Sequence, residues 1–482
     1  MRHCAVVSLI ACLWSATPVA AQTTYDLVIR GGRVIDPETR LDAVRDVGIR
    51  GNRIASISAT RLRGRKIIDA TGLVVAPGFI DLHAHGQNDE NYRLFALDGV
   101  TTALELEAGT DDVPGFYATR DGKALINYGV AASHIKARMA VMRDRGVALG
   151  TLLPLDSAGY NVASEAQITD IRRHIEAGLA AGGLGVGMGL AYTPAATRYE
   201  VLEAFRSAAK FKAPVFVHTR QYGETEPGSS VESYMEVIAA SAISGAPVHI
   251  VHLNSTSVTS TPKTLALIAD ARARGLDITA EAYPYIAGMT ELASPLLDRY
   301  ANGPDSLFST LMLARTGERL TRATFIANRK PGEVVILFVN TPQMEALAIT
   351  SPLTAIASDG RLINGVGHPR AAGTYARVLA HYVRETRQLT MLEAIRKMTL
   401  LPAQRLESLA PMFRNKGRIR IGADADLAIF DPATVADRST YQQPALTSIG
   451  FRYVLVNGVP VVSDGALQPG VSPGRAARGP LH

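Results

Sequence analysis

Residues 78–87, GFIDLHAHGQ, run apolar and then stop at two histidines one alanine apart. In an extended strand, residues i and i+2 share a face, so His83 and His85 can present both imidazoles to one point. A strand that only had to be buried has no use for that pair. The polar residues elsewhere in the chain show what the pair is for.

Around this stretch the sequence alternates short β-branched runs with longer amphipathic ones. Strands are expected at 73–85 (LVVAPGFIDLHAH), 99–107, 129–135, 183–190, 213–219 (APVFVHT), 247–254 (PVHIVHLN), 277–285 and 353–360 (LTAIASDG), with helices at 165–181, 199–212 and 261–274. Eight such units spell a parallel (β/α)8 TIM-type barrel, here 73–410. Residues 286–350, between the last two strands, are too long for a crossover and predict a small insertion or lid. Runs with turn signals at 22–72 and 411–470 predict a small β-sandwich built from both termini. The Pro/Gly/Arg-rich stretch 471–482 reads as a loose tail.

Barrel chemistry sits at the C-terminal ends of the strands. Ligand-type residues fall there repeatedly: His83 and His85 after the first strand, His218 after the fifth, His252 after the sixth and Asp359 after the eighth. One histidine at a strand end is usually structural; a set spread over four strands points to a divalent metal such as zinc. Tyr192, Arg220, Tyr283 and Arg370 lie just beyond strand ends and are candidate substrate ligands, with Arg220 or Arg370 suited to a bidentate carboxylate pair. His134 is a candidate supporting residue. His174, His249 and His381 read as structural or surface residues.

Composition narrows the rest. The 482 residues carry 50 basic against 44 acidic side chains, a net charge of +6 spread along the chain. That is not the clustered basic stripe of a nucleic-acid binder. Residues 1–21 form a cationic start, an apolar run and a small-residue site before Gln22, the pattern of a secretory signal peptide. It places the protein in the periplasm or outside the cell; lipoprotein anchoring at Cys12 is the alternative. No later segment is apolar enough to be a transmembrane helix. Both cysteines, Cys4 and Cys12, lie in that leader, so the mature chain has no thiolate for catalysis or metal binding.

The segments APGFIDLHAH, SDG (358–360) and GRIRIGADADLAIFD (417–431), in this order with the single histidines, resemble the amidohydrolase superfamily over nearly the whole mature chain. HTRQYGE (218–224), EAYPYIAG (281–288) and GVGHPRAAGTYARVL (365–379) are similar to its D-aminoacylase branch, the N-acyl-D-amino-acid deacylases, N-acyl-D-glutamate deacylase among them. The resemblance implies one or two zinc ions, with His83 and His85 on one position and His218 and His252 on the other. It implies Asp359 as metal ligand and as general base and acid, and a small N-acyl amino acid as the partner. A dipeptidase or cyclic-amide hydrolase on the same centre, and a binding protein that kept the fold, are the alternatives.

One departure stands out. The D-aminoacylases carry a ligand cysteine after strand two, and other members a carboxylated lysine on strand four. Here the cysteine position falls on Ala108, and strand four, GLGVGMGL, has no lysine. Glu107, one residue earlier, is the expected bridging ligand, and a carboxylated Lys136 is its rival. Glu105 shares the face of Glu107 but lies deeper, where an ionised carboxylate needs a partner.

Overall fold

The computed structural model describes Met1 and residues 24–482. Residues 2–23, and with them the body of the expected leader, its cleavage site and both cysteines, lie outside the described residues. Among the described residues, no helix is long and apolar enough to cross a membrane.

Eight parallel strands follow one another round a barrel in sequence order: Phe79–Asp81, Val100–Thr110, Asn127–Ser133, Val186–Gly189, Val215–His218, Val248–Ile250, Ile278–Ala282 and Thr354–Ile356. A single parallel bridge, Ala84 to Gly360, links the ends of the last and first strands. Most of the strands are short, and they are almost wholly buried, as parallel strands covered on both faces must be. Two of the intervening helices, Glu165–Ala180 and Ser230–Ser244, start with capping boxes (Ser164 with Gln167, Ser229 with Glu232). Each cap satisfies otherwise orphaned amides, worth about 1 kcal/mol.

The expected strand 73–85 divides at Gly78. Val74–Pro77 joins the outer sheet, and Phe79–Asp81 opens the barrel. Thr101 packs so closely on the Gly78 Cα that no Cβ fits there. The outer sheet has nine strands, and Val74–Pro77 connects its N-terminal part to Leu427–Phe430 and the C-terminal strands. Alternation sorts its side chains. Val75, Leu427, Ile429 and Leu455 enter the sheet's own core, while Ala76, Ala428, Phe430, Val454 and Val456 pack into the barrel core.

Within the segment read as an insertion, Ala287–Glu291, Val334–Phe338 and Leu311–Leu313 form a three-stranded antiparallel sheet. It has its own apolar cluster, including Leu292, Tyr300, Phe308 and Phe325. The helix Pro342–Thr350 instead packs on the last two barrel strands and serves as a crossover helix. The C-terminal stretch is not loose. Gly474, Ala477 and Gly479 donate backbone hydrogen bonds to Ala124, Tyr128 and Gly182, at the N-terminal ends of the third and fourth strands. Its prolines and glycines suppress regular structure without preventing this pairing.

Candidate metal centre

Glu107 stands at the middle of the site. Its Oε2 lies 3.1 Å from His83 Nε2 and 3.0 Å from His85 Nε2. Its Oε1 lies 2.9 Å from His218 Nδ1 and 3.6 Å from His252 Nε2. Asp359 Oδ1 approaches the first pair, 3.3 Å from His85 Nε2 and 3.6 Å from His83 Nε2. All six residues are buried or nearly so. Three groups among them bring their donor atoms close enough to share an ion: His83, His85 and Glu107; His83, His252 and Asp359; Glu107, His218 and His252.

The donor set fits zinc. Ligand atoms about 2.0–2.1 Å from a tetrahedral ion sit roughly 3.3 Å apart. The His83 and His85 Nε2 atoms are 3.1 Å from each other, and their separations from Glu107 and Asp359 fall on either side of that value. Electrostatics agree. Burial alone would push the His83 pKa down, yet the Asp359 and Glu107 carboxylates hold it up, at about 10. Burial likewise opposes the charge on Glu107, but His83 and its other imidazole neighbours keep it well below the usual carboxylate range. The site therefore calls for positive charge at its centre, which a divalent cation supplies.

The imidazoles are held in orientation from behind. His83 Nδ1 is 2.7 Å from Glu281 Oε1, and Glu281 Oε2 is 3.0 Å from His249 Nε2. His85 Nδ1 is 2.7 Å from Glu105 Oε2. With Nδ1–H donated to a carboxylate, each ring turns the Nε2 lone pair towards the centre. Glu105 thus has the partner its depth demands, and its other oxygen accepts from the Ala108 amide at 3.1 Å. Glu281 escaped sequence reading, although a carboxylate inside an apolar strand was the available signal. His249 is structural as expected, but through this contact. Two of the clustered residues, His252 (φ 32°) and Asp359 (φ 52°), adopt left-handed backbone, the kind of local strain that collects at functional sites.

The other candidates divide. Tyr192 packs its ring 4.8 Å from that of His218, and Tyr283 lies 6.4 Å from His252 with a buried hydroxyl that has no partner. Arg370 is buried against the Tyr283 ring, and its Nη2 is 2.9 Å from Asp359 Oδ1. Arg220 does not join them. Its fork is bidentate on Glu236 (2.9 and 2.7 Å), and it lines a separate cleft between the helices Arg198–Lys210 and Ser230–Ser244. The expectation that it receives substrate is corrected, because its planar donors are already matched. Lys136 directs its Nζ to the Thr151 carbonyl, and it is Glu107 that stands between the histidines. His134 bonds Glu200, which also pairs with Arg138. His174 is exposed, and His381 pairs with Glu385.

Two lobes open from the centre, sharing Tyr192, Met289, Thr290 and Asp359. One runs past His85 and Arg370, the other past His218, His252 and Tyr283. Met289 and Thr290 belong to the inserted sheet, so the insertion roofs the site.

A parallel barrel with a buried imidazole and carboxylate cluster at its C-terminal strand ends is the architecture of a metal-dependent enzyme. The amidohydrolase family model matches residues 74–461, and the chain belongs to that family. It is 30% identical over 489 residues to the D-aminoacylase of Alcaligenes xylosoxydans xylosoxydans, covering 92% of this chain and 95% of that one. It is 31% identical over 504 residues to the N-acyl-D-glutamate deacylase of the same organism, covering 95% and 97%. A crystal structure of N-acyl-D-glutamate deacylase from Bordetella bronchiseptica contains zinc and a phosphonate mimic of the tetrahedral intermediate. That structure matches with a TM-score of 0.81 at 27% identity, covering 95% of this chain and 100% of that one.

Proposed function

We propose that this chain is a zinc-dependent hydrolase of linear amides, cleaving N-acyl-D-amino acids to a carboxylic acid and the free D-amino acid. The observation that carries the reading is Glu107, whose two oxygens each face one pair of histidines while Asp359 faces the first pair. Similarity to the D-aminoacylase and the N-acyl-D-glutamate deacylase supplies the substrate class.

In this reading His83, His85, His218, His252, Glu107 and Asp359 hold one or two ions. Bound zinc supplies a Lewis acid for the acyl oxygen and an acidified water. Asp359 is kept ionised: burial opposes its charge, but Arg370 and His83 hold its pKa well below the carboxylate range. It accepts a proton as the water oxygen adds to the acyl carbon, then delivers it to the amide nitrogen as the C–N bond breaks. Arg370 has two nitrogens, Nε and Nη1, without partners, and these with the Tyr283 hydroxyl offer donors to the substrate carboxylate. Tyr192 lines both lobes and packs against the His218 ring beside the centre.

A panel of N-acetyl-D-amino acids, their L-isomers and hydantoins, with metal content measured in parallel, tests this. Turnover of the D-series alone is expected; turnover confined to hydantoins overturns it. Glu107→Ala should lower metal content and activity together, and full retention of both removes Glu107 as the bridge. Export through residues 1–21 belongs to the same proposal, and the N-terminal mass of protein recovered from the periplasm checks it.

A further inference from the structure

Glu291 ends the inserted strand Ala287–Glu291 and lines the lobe that holds His85, Asp359 and Arg370. Only 8% of the residue is exposed, and its Oε2 has no hydrogen-bond partner. The nearest cation, Arg361, holds Nη1 3.8 Å from Oε1, beyond hydrogen-bond reach. Much of the wall is apolar, with Leu152, Leu153, Met289 and Val334. Burial raises the Glu291 pKa, and Arg361, Lys136 and the Leu152 backbone amide offset this only in part. A carboxylate so placed costs free energy unless a hydrogen-bonding cation reaches it. Neither the ion cluster nor the proton transfer described above uses it.

We propose that Glu291 is a subsite for an ammonium group carried by the substrate. The inference rests on the deacylase reading and narrows it. An acetyl group leaves Glu291 unmatched. An aminoacyl group brings an α-ammonium one carbon from the scissile carbonyl, which makes a dipeptide ending in a D-residue a substrate. A basic D-side chain, as in D-lysine, is the other source of the same chemistry.

The test compares kcat/KM for N-acetyl-D-alanine, glycyl-D-alanine and N-acetyl-D-lysine in the zinc-loaded wild type, Glu291→Gln and Glu291→Asp. At least one ammonium-bearing substrate should be preferred over N-acetyl-D-alanine. Glu291→Gln should cut that preference roughly tenfold or more, as loss of a charge-assisted hydrogen bond does, and Glu291→Asp should retain part of it. Loss on glycyl-D-alanine places the ammonium on the acyl side, and loss on N-acetyl-D-lysine on the side chain. If the wild type prefers neither, or Glu291→Gln lowers all three in proportion, the subsite is wrong. Hydrolysis of N-acetyl-D-alanine without any ammonium preference sinks this inference alone; hydrolysis of none of the three sinks the deacylase reading with it.

Discussion

Two buried ionic clusters lie at opposite ends of the barrel, and they are built differently. At the N-terminal end, Lys416 Nζ sits 2.9 Å from Asp424 and 2.7 Å from Asp426. Asp426 also accepts from Asn127 Nδ2 at 3.0 Å and from the Asn457 amide at 2.6 Å, tying the C-terminal strands to the third barrel strand. Burial would lower the Lys416 pKa, but the two aspartates raise it, so the lysine is charged and matched. At the C-terminal end, carboxylates face imidazoles with no permanent cation except Arg370. There Arg370 and Tyr283 keep unpartnered polar atoms, and two residues hold strained backbone. Buried charge that serves the fold is compensated by the protein; buried charge that serves chemistry is left for an incoming group to complete.

Asp359→Asn should cause the largest change. Proton transfer by a positioned group is worth about 10²–10⁴-fold, so kcat should fall at least that far while most metal stays bound. Near-normal turnover at normal metal content would remove Asp359 from the mechanism. Lys416→Met attacks the other cluster, leaving Asp424 and Asp426 buried without a cation. Breaking a buried pair costs about 3–5 kcal/mol, measurable by denaturant unfolding, with metal content per folded chain unchanged. A loss below about 1 kcal/mol would erase the contrast between the two ends.

Glu281→Gln sharpens the comparison from within the site. It weakens the hold on His83 without touching the donor atoms, and supporting residues of this type are worth about 10–100-fold in metal affinity. Competition with a chelator reads this, and the unfolding midpoint of the metal-stripped protein should move little. Unchanged affinity would make Glu281 a packing residue only.

Lys397 extends the comparison to a third buried charge, through pH. It is carried by the helix Met391–Met398 and buried against the start of the last barrel strand, where it donates to the Thr354 carbonyl at 2.5 Å. Burial pushes its pKa down to about 7. The folded state then favours the neutral amine and the unfolded chain binds the proton, so stability falls as pH drops from about 10 to about 7 and levels off below. Lys397→Met should flatten that slope; an unaltered slope would mean that the carbonyls keep the amine charged.

Much of the site was legible because strand geometry is local. The His83–Ala84–His85 spacing and the strand-end positions of His218, His252 and Asp359 needed only the two-residue repeat and the barrel rule. Glu107 was reached by another route, the resemblance, as the residue one place before the expected cysteine. Arg220 misled because its partner, Glu236, lies on the following helix, and nothing in HTRQYGE records that pairing. Glu281 was overlooked because its role exists only where the seventh strand meets His83, almost two hundred residues away in sequence.

The sequence by itself therefore determined the barrel, a β-rich part drawn from both ends of the chain and the residue types at the strand ends. These follow from periodicities of the backbone that each segment carries with it. Tertiary structure alone decided which buried charges are matched: Glu105 to His85, Glu281 to His83, Arg220 to Glu236, Lys416 to its aspartates, and Glu291 to no cation within hydrogen-bond reach. Compensation of a charge depends on what lies within about 4 Å of it once water is excluded, and only the packed chain sets that neighbourhood.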